Sequence, residues 1–325
     1  MRALPPPPLP SRTAWLLLGG LVVVWGLHWP IVKAVLGELP PMTYAALRVA
    51  TAIPAVLLVL GARREIELPP RGDLPVLIVV GLGQIAIGTA IMNLALLVVP
   101  AGRSSVLSYT TPLWTALLGA ALLGLRLRRR EGLGVAVGVV GMGLLFAAGL
   151  GGGAGTADAG MGGAAGAGSG AGVAAGSSGL VVGSLALVAG AVVNAGAVLM
   201  LRAHRWRSTP LRLQPWQLAI GLVPLAILAA VLEDPATIDL TPTLLLAVLY
   251  SGPLATAFAF WAYQTIARTL TPSQTTTGLL AVPVVGLASS ALFLGEPLGP
   301  GDLAGFATTL AGIALVAGPG RVREP

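Results

Sequence analysis

The chain has no cysteine, only two histidines, and charged side chains on just 10% of its 325 residues. The absence of cysteine excludes disulfides and thiolate chemistry. So few charges cannot cover the surface of a soluble protein of this length, and 55% of the residues are hydrophobic. The composition therefore indicates a membrane protein.

Other absences narrow the range of functions. None of the 12 acidic residues lies clearly within an apolar run, which argues against a carboxylate proton relay at the middle of the membrane. The sequence has no ATP-binding motif, phosphate loop, hydrolase elbow or metal-ligand cluster, so we expect no cofactor and no metal. Its arginines lie in short loops between apolar runs, and nucleic acid is not an expected partner.

Apolar runs of about 20 residues, the length that crosses a hydrocarbon core, recur along the chain. The first follows basic residues as a signal peptide would, but it is too long and lacks a cleavage site, so we predict a retained span. A glycine- and alanine-rich segment, 150–178, is predicted to be a flexible linker between two units, 14–149 and 179–318. The predicted spans lie at about 14–36, 42–61, 74–96, 101–124, 132–149, 179–202, 213–232, 243–266, 272–294 and 301–318.

Residues 108–149 share a pattern with residues 279–320. At an offset of 171 positions, Pro112 matches Pro283 and Gly124 matches Gly295, and several further glycines and leucines also match. This spacing predicts a duplicated unit. Because each unit has five spans, an odd number, the second unit enters the membrane from the opposite side, and the repeat is inverted.

The loop charges provide an independent test of this arrangement. With a cytoplasmic N-terminus, 16 of the 19 basic residues lie on the inside, Arg103 lies outside, and Lys33 and Arg48 fall within spans. This is the positive-inside pattern. The sequence thus predicts an all-α integral membrane protein with ten transmembrane helices, arranged as two inverted five-helix repeats around a central cavity. We expect it in the plasma membrane of a bacterium, with both termini cytoplasmic.

Spans 4 and 9 each carry a proline near mid-run, Pro112 and Pro283. Neither proline can donate to the carbonyl four residues earlier, so each predicts a kink and a carbonyl that must face protein or water. Hydroxyl residues share a face of span 4, and Gln274 precedes three threonines in span 9. The pattern indicates a polar wall of a cavity. The alternative is hydrogen bonding between packed helices.

Further polar and aromatic residues complete the candidate cavity. The amides are either substrate contacts or structural pairs, because an unpaired amide is costly inside a membrane. We interpret His28 as a packed neutral histidine, with a proton relay as the alternative. Lys33 and Arg48 either extend to the interface or contact an anionic substrate. The candidate cavity residues are Trp25, His28, Trp29, Gln84, Asn93, Tyr109, Thr111, Trp114, Asn194, Trp261, Tyr263, Gln264 and Gln274.

Glycines in spans 5 and 10 predict faces for close helix packing, within one chain or between subunits. They are Gly134, Gly138, Gly141, Gly305 and Gly312.

Three short motifs follow one another along the chain. They are Trp25-Gly26 with Lys33, Pro40-Pro41 followed by Ala46-Leu47-Arg48, and a proline-bearing span that ends in Leu292-Phe293-Leu294-Gly295-Glu296. In this order they resemble the EamA-type family of the drug/metabolite transporter superfamily. The resemblance covers both halves, about 14–149 and 179–318, although Leu125 stands where the first half would repeat Glu296. It implies ten helices around a central cavity and the movement of small organic metabolites, such as amino acids, by alternating access.

These observations predict a secondary, non-ATP transporter of small organic metabolites. Amino acids and related compounds are the leading candidates, export is favoured over uptake, and no enzymatic activity is expected. One alternative is a membrane scaffold or receptor, which needs no polar cavity. Another is a lipid-modifying enzyme, which needs a clustered acid, base or metal site. The expected partners are a small-molecule substrate and membrane lipids, and both a monomer and a homodimer remain open.

Overall fold

The computed structural model describes residues 10–125, 127–152, 177–204, 206–234, 241–270 and 272–317. Within these residues the secondary structure is helical and contains no strand. Ten helical stretches among them are long and apolar enough to cross a membrane. This confirms the predicted all-α fold with ten spans. The predicted linker lies mostly outside the described residues, as do both chain termini.

Six spans are single helices, and four are composite. The single helices are Ser11–Val35 (span 1), Pro41–Ala62 (span 2), Arg129–Gly152 (span 5), Ser177–Ala203 (span 6), Pro210–Leu232 (span 7) and Pro300–Ala317 (span 10). The α-helical parts of the composite spans are Leu74–Val79 and Gly88–Val98 (span 3), Ala101–Ser108 and Thr111–Leu123 (span 4), Pro242–Leu249 and Ala259–Thr269 (span 8), and Pro272–Leu279 and Ala281–Leu294 (span 9).

The composite spans are interrupted at matching positions in the two halves. Spans 3 and 8 contain the π-helical segments Val80–Ile87 and Tyr250–Phe258, and an offset of 171 places the first inside the second. The same offset takes Tyr109, at the break in span 4, to Leu280, at the break in span 9. Regular helix would need no such interruption, and π-helical turns are rare and often occur at functional sites. Backbone geometry therefore supports the duplication independently of the sequence match.

The prolines of spans 4 and 9 stand just after the breaks. Pro112 and Pro283 lie in the first turn of the helices that follow, where a missing N–H leaves no intrahelical bond unmade. The predicted kinks are therefore interruptions of the helix. The carbonyl of Ser108, which Pro112 cannot pair, accepts a hydrogen bond from the Thr111 hydroxyl at 3.2 Å.

Glycine ends the second helix of both broken spans. Gly124 and Gly295 have φ of 64° and 65°, a left-handed conformation that residues with a Cβ rarely adopt. Both residues are the left-handed C-caps of their helices. Helix termination thus explains why the two halves share this glycine.

Glycines also allow spans 5 and 10 to pack closely within the chain. A Cβ added at Gly141 would collide with the backbone of Thr309, and one added at Gly312 would collide with the backbone of Gly138. The predicted glycine face therefore joins the last span of one half to the last span of the other.

We expect Gly141→Val to destabilise the protein by about 1–3 kcal/mol, because the added methyl groups must separate the two backbones. The measurement is thermal unfolding in detergent. Gly143→Val is the matched control, since a Cβ at Gly143 meets no atom within 4 Å. An equal loss of stability in both variants would show that helix propensity, and not the contact between spans 5 and 10, is responsible.

Candidate functional site

Polar side chains inside the bundle form two groups, each of which joins the two halves. The amide chain consists of Gln84, Asn194 and Thr111. The Arg48 cluster consists of Tyr44, Arg48, Ser251 and Thr256, with His28 and Tyr250 beside it. Each group lies against a π-helical segment, the amide chain in span 3 and the Arg48 cluster in span 8.

The amide chain connects spans 3, 6 and 4. Gln84 Nε2 donates to Asn194 Oδ1 at 2.7 Å, and Asn194 Nδ2 donates to the Thr111 hydroxyl at 3.3 Å. All three side chains are half-buried. Because Asn194 belongs to the second half and its two partners to the first, the chain crosses between the repeats. Three predicted cavity residues are thus brought together, and they pair with one another.

A small cleft adjoins the amide chain between spans 3, 7 and 8. It is lined by Gln84, Ile85, Gln214, Gln217, Leu218 and Phe260. Gln214 is buried, and its Oε1 has no partner among the described residues. Neither Gln214 nor Gln217 was among the residues predicted from the sequence. The available signal was two amides in an otherwise apolar span.

The Arg48 cluster exists because spans 2 and 8 approach closely at Gly252. A Cβ there would collide with the Thr51 side chain and with the carbonyl oxygen of Arg48. This approach brings Arg48 Nε within 2.9 Å of the Thr256 hydroxyl. The same hydroxyl donates to the Ser251 carbonyl at 2.7 Å. The guanidinium is therefore bound to the π-helical segment of the neighbouring span.

The Ser251 side chain extends this network to the first turn of span 2. Its hydroxyl accepts a hydrogen bond from the hydroxyl of Tyr44, a fully buried residue. Neither hydroxyl was predicted from the sequence as part of the candidate cavity. Only the packing of spans 2 and 8 makes them neighbours of Arg48.

Arg48 has no carboxylate partner among the described residues, where the ion pairs lie at the ends of the spans. Its hydrogen bonding to those residues uses Nε. The terminal nitrogens Nη1 and Nη2 are therefore available to a ligand. A cation at membrane depth without a counter-ion is costly and marks a candidate functional residue.

His28 is the second unusual polar residue near this cluster. Its side chain is 5% exposed, and neither ring nitrogen has a hydrogen-bond partner among the described residues. The ring stacks on Tyr250 with centroids 6.3 Å apart and an interplanar angle of 25°. An imidazole that is buried without a partner carries a desolvation cost that a bound ligand can offset.

Aromatic residues of spans 1 and 8 form a wall next to the Arg48 cluster. The ring of Trp25 lies 5.9 Å from those of Phe260 and Tyr263, between centroids. Trp25 Nε1 donates to the carbonyl of Ala255 at 3.0 Å, which fixes the ring one residue before Thr256. Trp261 contacts Phe258 at 5.6 Å. Three predicted cavity residues, Trp25, Trp261 and Tyr263, thus belong to this wall.

Three other predicted residues make structural contacts. Trp29 is buried in an apolar cluster. Asn93 is fully buried and donates to the carbonyl of Pro41 at 2.9 Å. Lys33 Nζ donates to the carbonyls of Leu96 and Val99 at the end of span 3. A cation there satisfies helix C-terminal carbonyls that lack intrahelical donors.

The remaining predicted residues lie in span 4, in the last helix of span 8 and in the first helix of span 9. Trp114 Nε1 donates to the Thr110 hydroxyl at 3.1 Å, and half-buried Tyr109 packs against two apolar clusters. Gln274 is exposed in the first turn of span 9. Gln264 lies in the last helix of span 8, but its side chain is outside the described set.

Carboxylates of the second half bind the N-terminal ends of two first-half spans. Glu296 accepts hydrogen bonds from the backbone N–H groups of Ala101 at 2.6 Å and Gly102 at 3.0 Å, which begin span 4. Glu233 does the same at the start of span 2, through Met42 at 2.8 Å and Thr43 at 2.7 Å. Each carboxylate satisfies N–H groups that have no intrahelical acceptor and complements the helix dipole.

Charged and polar side chains also join the halves at both ends of the bundle. At the end where span 4 begins, Arg103 pairs with Asp302. At the opposite end, the fully buried Asp73 lies 2.8 Å from His204 Nε2 and accepts from the backbone of Arg207 at 3.3 Å. No role was predicted from the sequence for Asp73 or His204. They lie in separate loops, and only the fold shows that these loops meet.

We expect Glu296→Ala to lower the free energy of unfolding by about 2 kcal/mol, because two backbone donors lose a charged acceptor. Thermal unfolding in detergent measures the effect. Glu38→Ala is the control, since Glu38 is exposed and its contact with Thr241 is long, at 3.5 Å. If the two variants were equally stable, Glu296 would not hold the start of span 4.

Ten spans with interruptions at repeated positions, polar groups shared between halves and ion pairs at both ends define the architecture of a membrane transporter. The sequence pattern of the EamA-like transporter family matches residues 12–147 and 181–318. The chain belongs to this family, which confirms the resemblance seen in the sequence.

Curated relatives share the length of the chain as well as its pattern. A probable amino-acid metabolite efflux pump of Salmonella typhimurium is 28% identical over 316 residues, which cover 94% of each chain. A probable terminal-alkyne amino-acid exporter of Streptantibioticus cattleyicolor is 28% identical over 314 residues, covering 94% of this chain and 93% of the exporter. A solved crystal structure at 21% identity aligns with a TM-score of 0.59 over 94% of this chain and 96% of its own, which shows the same fold.

Proposed function

We propose that this EamA-family transporter exports amino acids or closely related small organic metabolites across the bacterial plasma membrane. The observation that carries the proposal is the amide chain, in which Asn194 of one half pairs with Gln84 and Thr111 of the other inside the membrane. A polar site shared by two inverted halves is where such folds bind their substrate. The relatives named for amino-acid metabolite efflux and amino-acid export support the substrate class and the direction.

The mechanism in this proposal is alternating access by the two units 14–149 and 179–318. Contacts between the halves occur at the outer end, through Arg103 and Asp302, and at the inner end, through Asp73 and His204. Opening one end while the other stays closed exposes a shared site to one side at a time. The sequence has no ATP-binding motif, so the process is secondary or facilitated.

Purified protein in proteoliposomes tests transport directly. We expect saturable, protein-dependent flux of at least one radiolabelled amino acid above that of protein-free liposomes. Asn194→Leu should reduce this flux about tenfold or more, since it removes both hydrogen bonds of the amide chain at similar side-chain volume. Val193→Leu, at an exposed apolar neighbour, is the control. Wild-type flux in Asn194→Leu would remove the amide chain from the mechanism. No flux of any amino acid in folded protein would refute the proposed function.

Direction is tested in cells. Bacteria that express the protein and are loaded with amino acids by peptide feeding should release them faster than cells with an empty vector. They should also tolerate higher concentrations of toxic amino-acid analogues. Greater sensitivity to the analogues, together with faster accumulation, would show that the protein is an importer.

A further inference from the structure

We propose that Arg48, with His28 beside it, is the subsite that binds the carboxylate of the transported solute. The inference rests on the proposed function and adds to it a chemical requirement, a free carboxylate on the substrate. The residues that would bind this carboxylate belong to spans 1 and 2 and contact the π-helical segment of span 8.

The Arg48 side chain is directed into the helix bundle. An arginine that extends to the interface would leave its guanidinium in water or among lipid headgroups. Here the guanidinium nitrogen Nε is bound to the Thr256 hydroxyl of another span. The close approach of backbones at Gly252 brings the two spans together at this depth. Lys33 offers the contrast, because its ammonium group is used by the carbonyls at the end of span 3.

The terminal nitrogens of the Arg48 guanidinium have the geometry that binds a carboxylate. With Nε used by Thr256, the terminal nitrogens Nη1 and Nη2 present parallel N–H groups with the spacing of two carboxylate oxygens. Among the described residues no acidic side chain forms an ion pair with Arg48. A carboxylate from the solute would supply the missing counter-charge and offset the desolvation cost of this half-buried cation.

His28, on the neighbouring span, independently supports a binding site here. It is 95% buried, since 5% of its surface is exposed, and both ring nitrogens lack a partner among the described residues. Tyr250 fixes the plane of the ring by stacking, and its own hydroxyl donates to the carbonyl of Val24. The ring is therefore oriented but not hydrogen-bonded, which suits a residue that completes its bonding when the solute binds.

Binding of matched pairs of compounds to the full-length protein tests the carboxylate requirement without any mutation. The probes are the common L-amino acids and the carboxamide of each, with thermal stabilisation in detergent as the measurement, since a ligand that binds the folded state raises its stability. We expect at least one acid to stabilise the protein and its carboxamide to bind about tenfold more weakly or worse. Equal binding of acid and carboxamide, or no binding by any acid, would overturn the proposal.

Substitutions then assign the effect to the residue. Arg48→Gln should weaken binding of the acid about tenfold or more and leave the carboxamide unchanged, and Arg48→Lys should fall between Arg48→Gln and wild type because it keeps charge but loses the paired geometry. Arg71→Gln is the matched control, as Arg71 is exposed in the turn before span 3. If Arg48→Gln does not fold, Arg48→Lys and the comparison of acid with carboxamide still test whether Arg48 binds the carboxylate. Binding of the acid unchanged in either Arg48 variant would refute the assignment.

His28→Phe keeps the stacking on Tyr250 and removes both nitrogens. We expect this variant to bind the acid about threefold to tenfold more weakly than the wild type and to bind the carboxamide as the wild type does. Wild-type binding of the acid by folded His28→Phe would remove His28 from the subsite.

The same guanidinium chemistry would recognise a phosphate, either free or on a lipid headgroup. Inorganic phosphate and micelles containing phosphatidylglycerol therefore form two further arms of the binding experiment. Stabilisation by either probe that Arg48→Gln abolishes, without stabilisation by any amino acid, would assign Arg48 to phosphate and overturn the proposal.

Flux measurements separate failure of the subsite from failure of the proposed function. Transport of a carboxamide at the rate of its acid would overturn the carboxylate subsite and leave amino-acid transport intact. Absence of flux for every acid and carboxamide, with acid binding that depends on Arg48, would retain the anion site and refute the transport proposal.

Discussion

The structure depends on one constraint, the absence of water inside a lipid bilayer. Each polar group at that depth must find its partner within the protein, because an unpaired one costs several kcal/mol. The breaks in spans 4 and 9 meet this constraint locally, as when the Thr111 hydroxyl takes the Ser108 carbonyl. Asn93 Nδ2 and Lys33 meet it across spans, through backbone carbonyls. Among the described residues Arg48 is satisfied only in part, and the ring nitrogens of His28, Asn93 Oδ1 and Gln214 Oε1 have no partner.

The duplication explains the scaffold, and the differences between the copies explain the chemistry. Interruptions, C-cap glycines and close-packed glycine faces recur in both halves. The charged features do not recur in the same way. Span 7, the counterpart of span 2, carries no basic residue beyond Arg212 in its first turn, and Leu125 stands where the first half would repeat Glu296. A solute that is itself asymmetric requires such differences, since identical halves would present identical groups to both its ends.

Sequence reasoning was most successful where the signal is local. Apolar run lengths predicted ten spans, and Pro112 and Pro283 marked the interruptions to within a few residues. It missed the π-helical segments, because no residue pattern distinguishes them from α-helix. It left Asn93 open between a substrate contact and a structural pair, and its Nδ2 donates to the Pro41 carbonyl. An amide in an apolar run shows that a partner exists, and the neighbouring span decides which partner it is.

Lys33 and Arg48 show most clearly where the two sources of information divide. By itself the sequence determined that this is an all-helical membrane protein with ten spans and a repeat, since hydropathy, span length and residue spacing are properties of one segment at a time. It described both cations identically, as basic residues toward the outer third of a span. Only the tertiary structure decided that Lys33 closes a helix end while Arg48 presents its guanidinium beside Thr256. The reason is physical: a buried charge takes its role from its neighbours, and these come from distant spans.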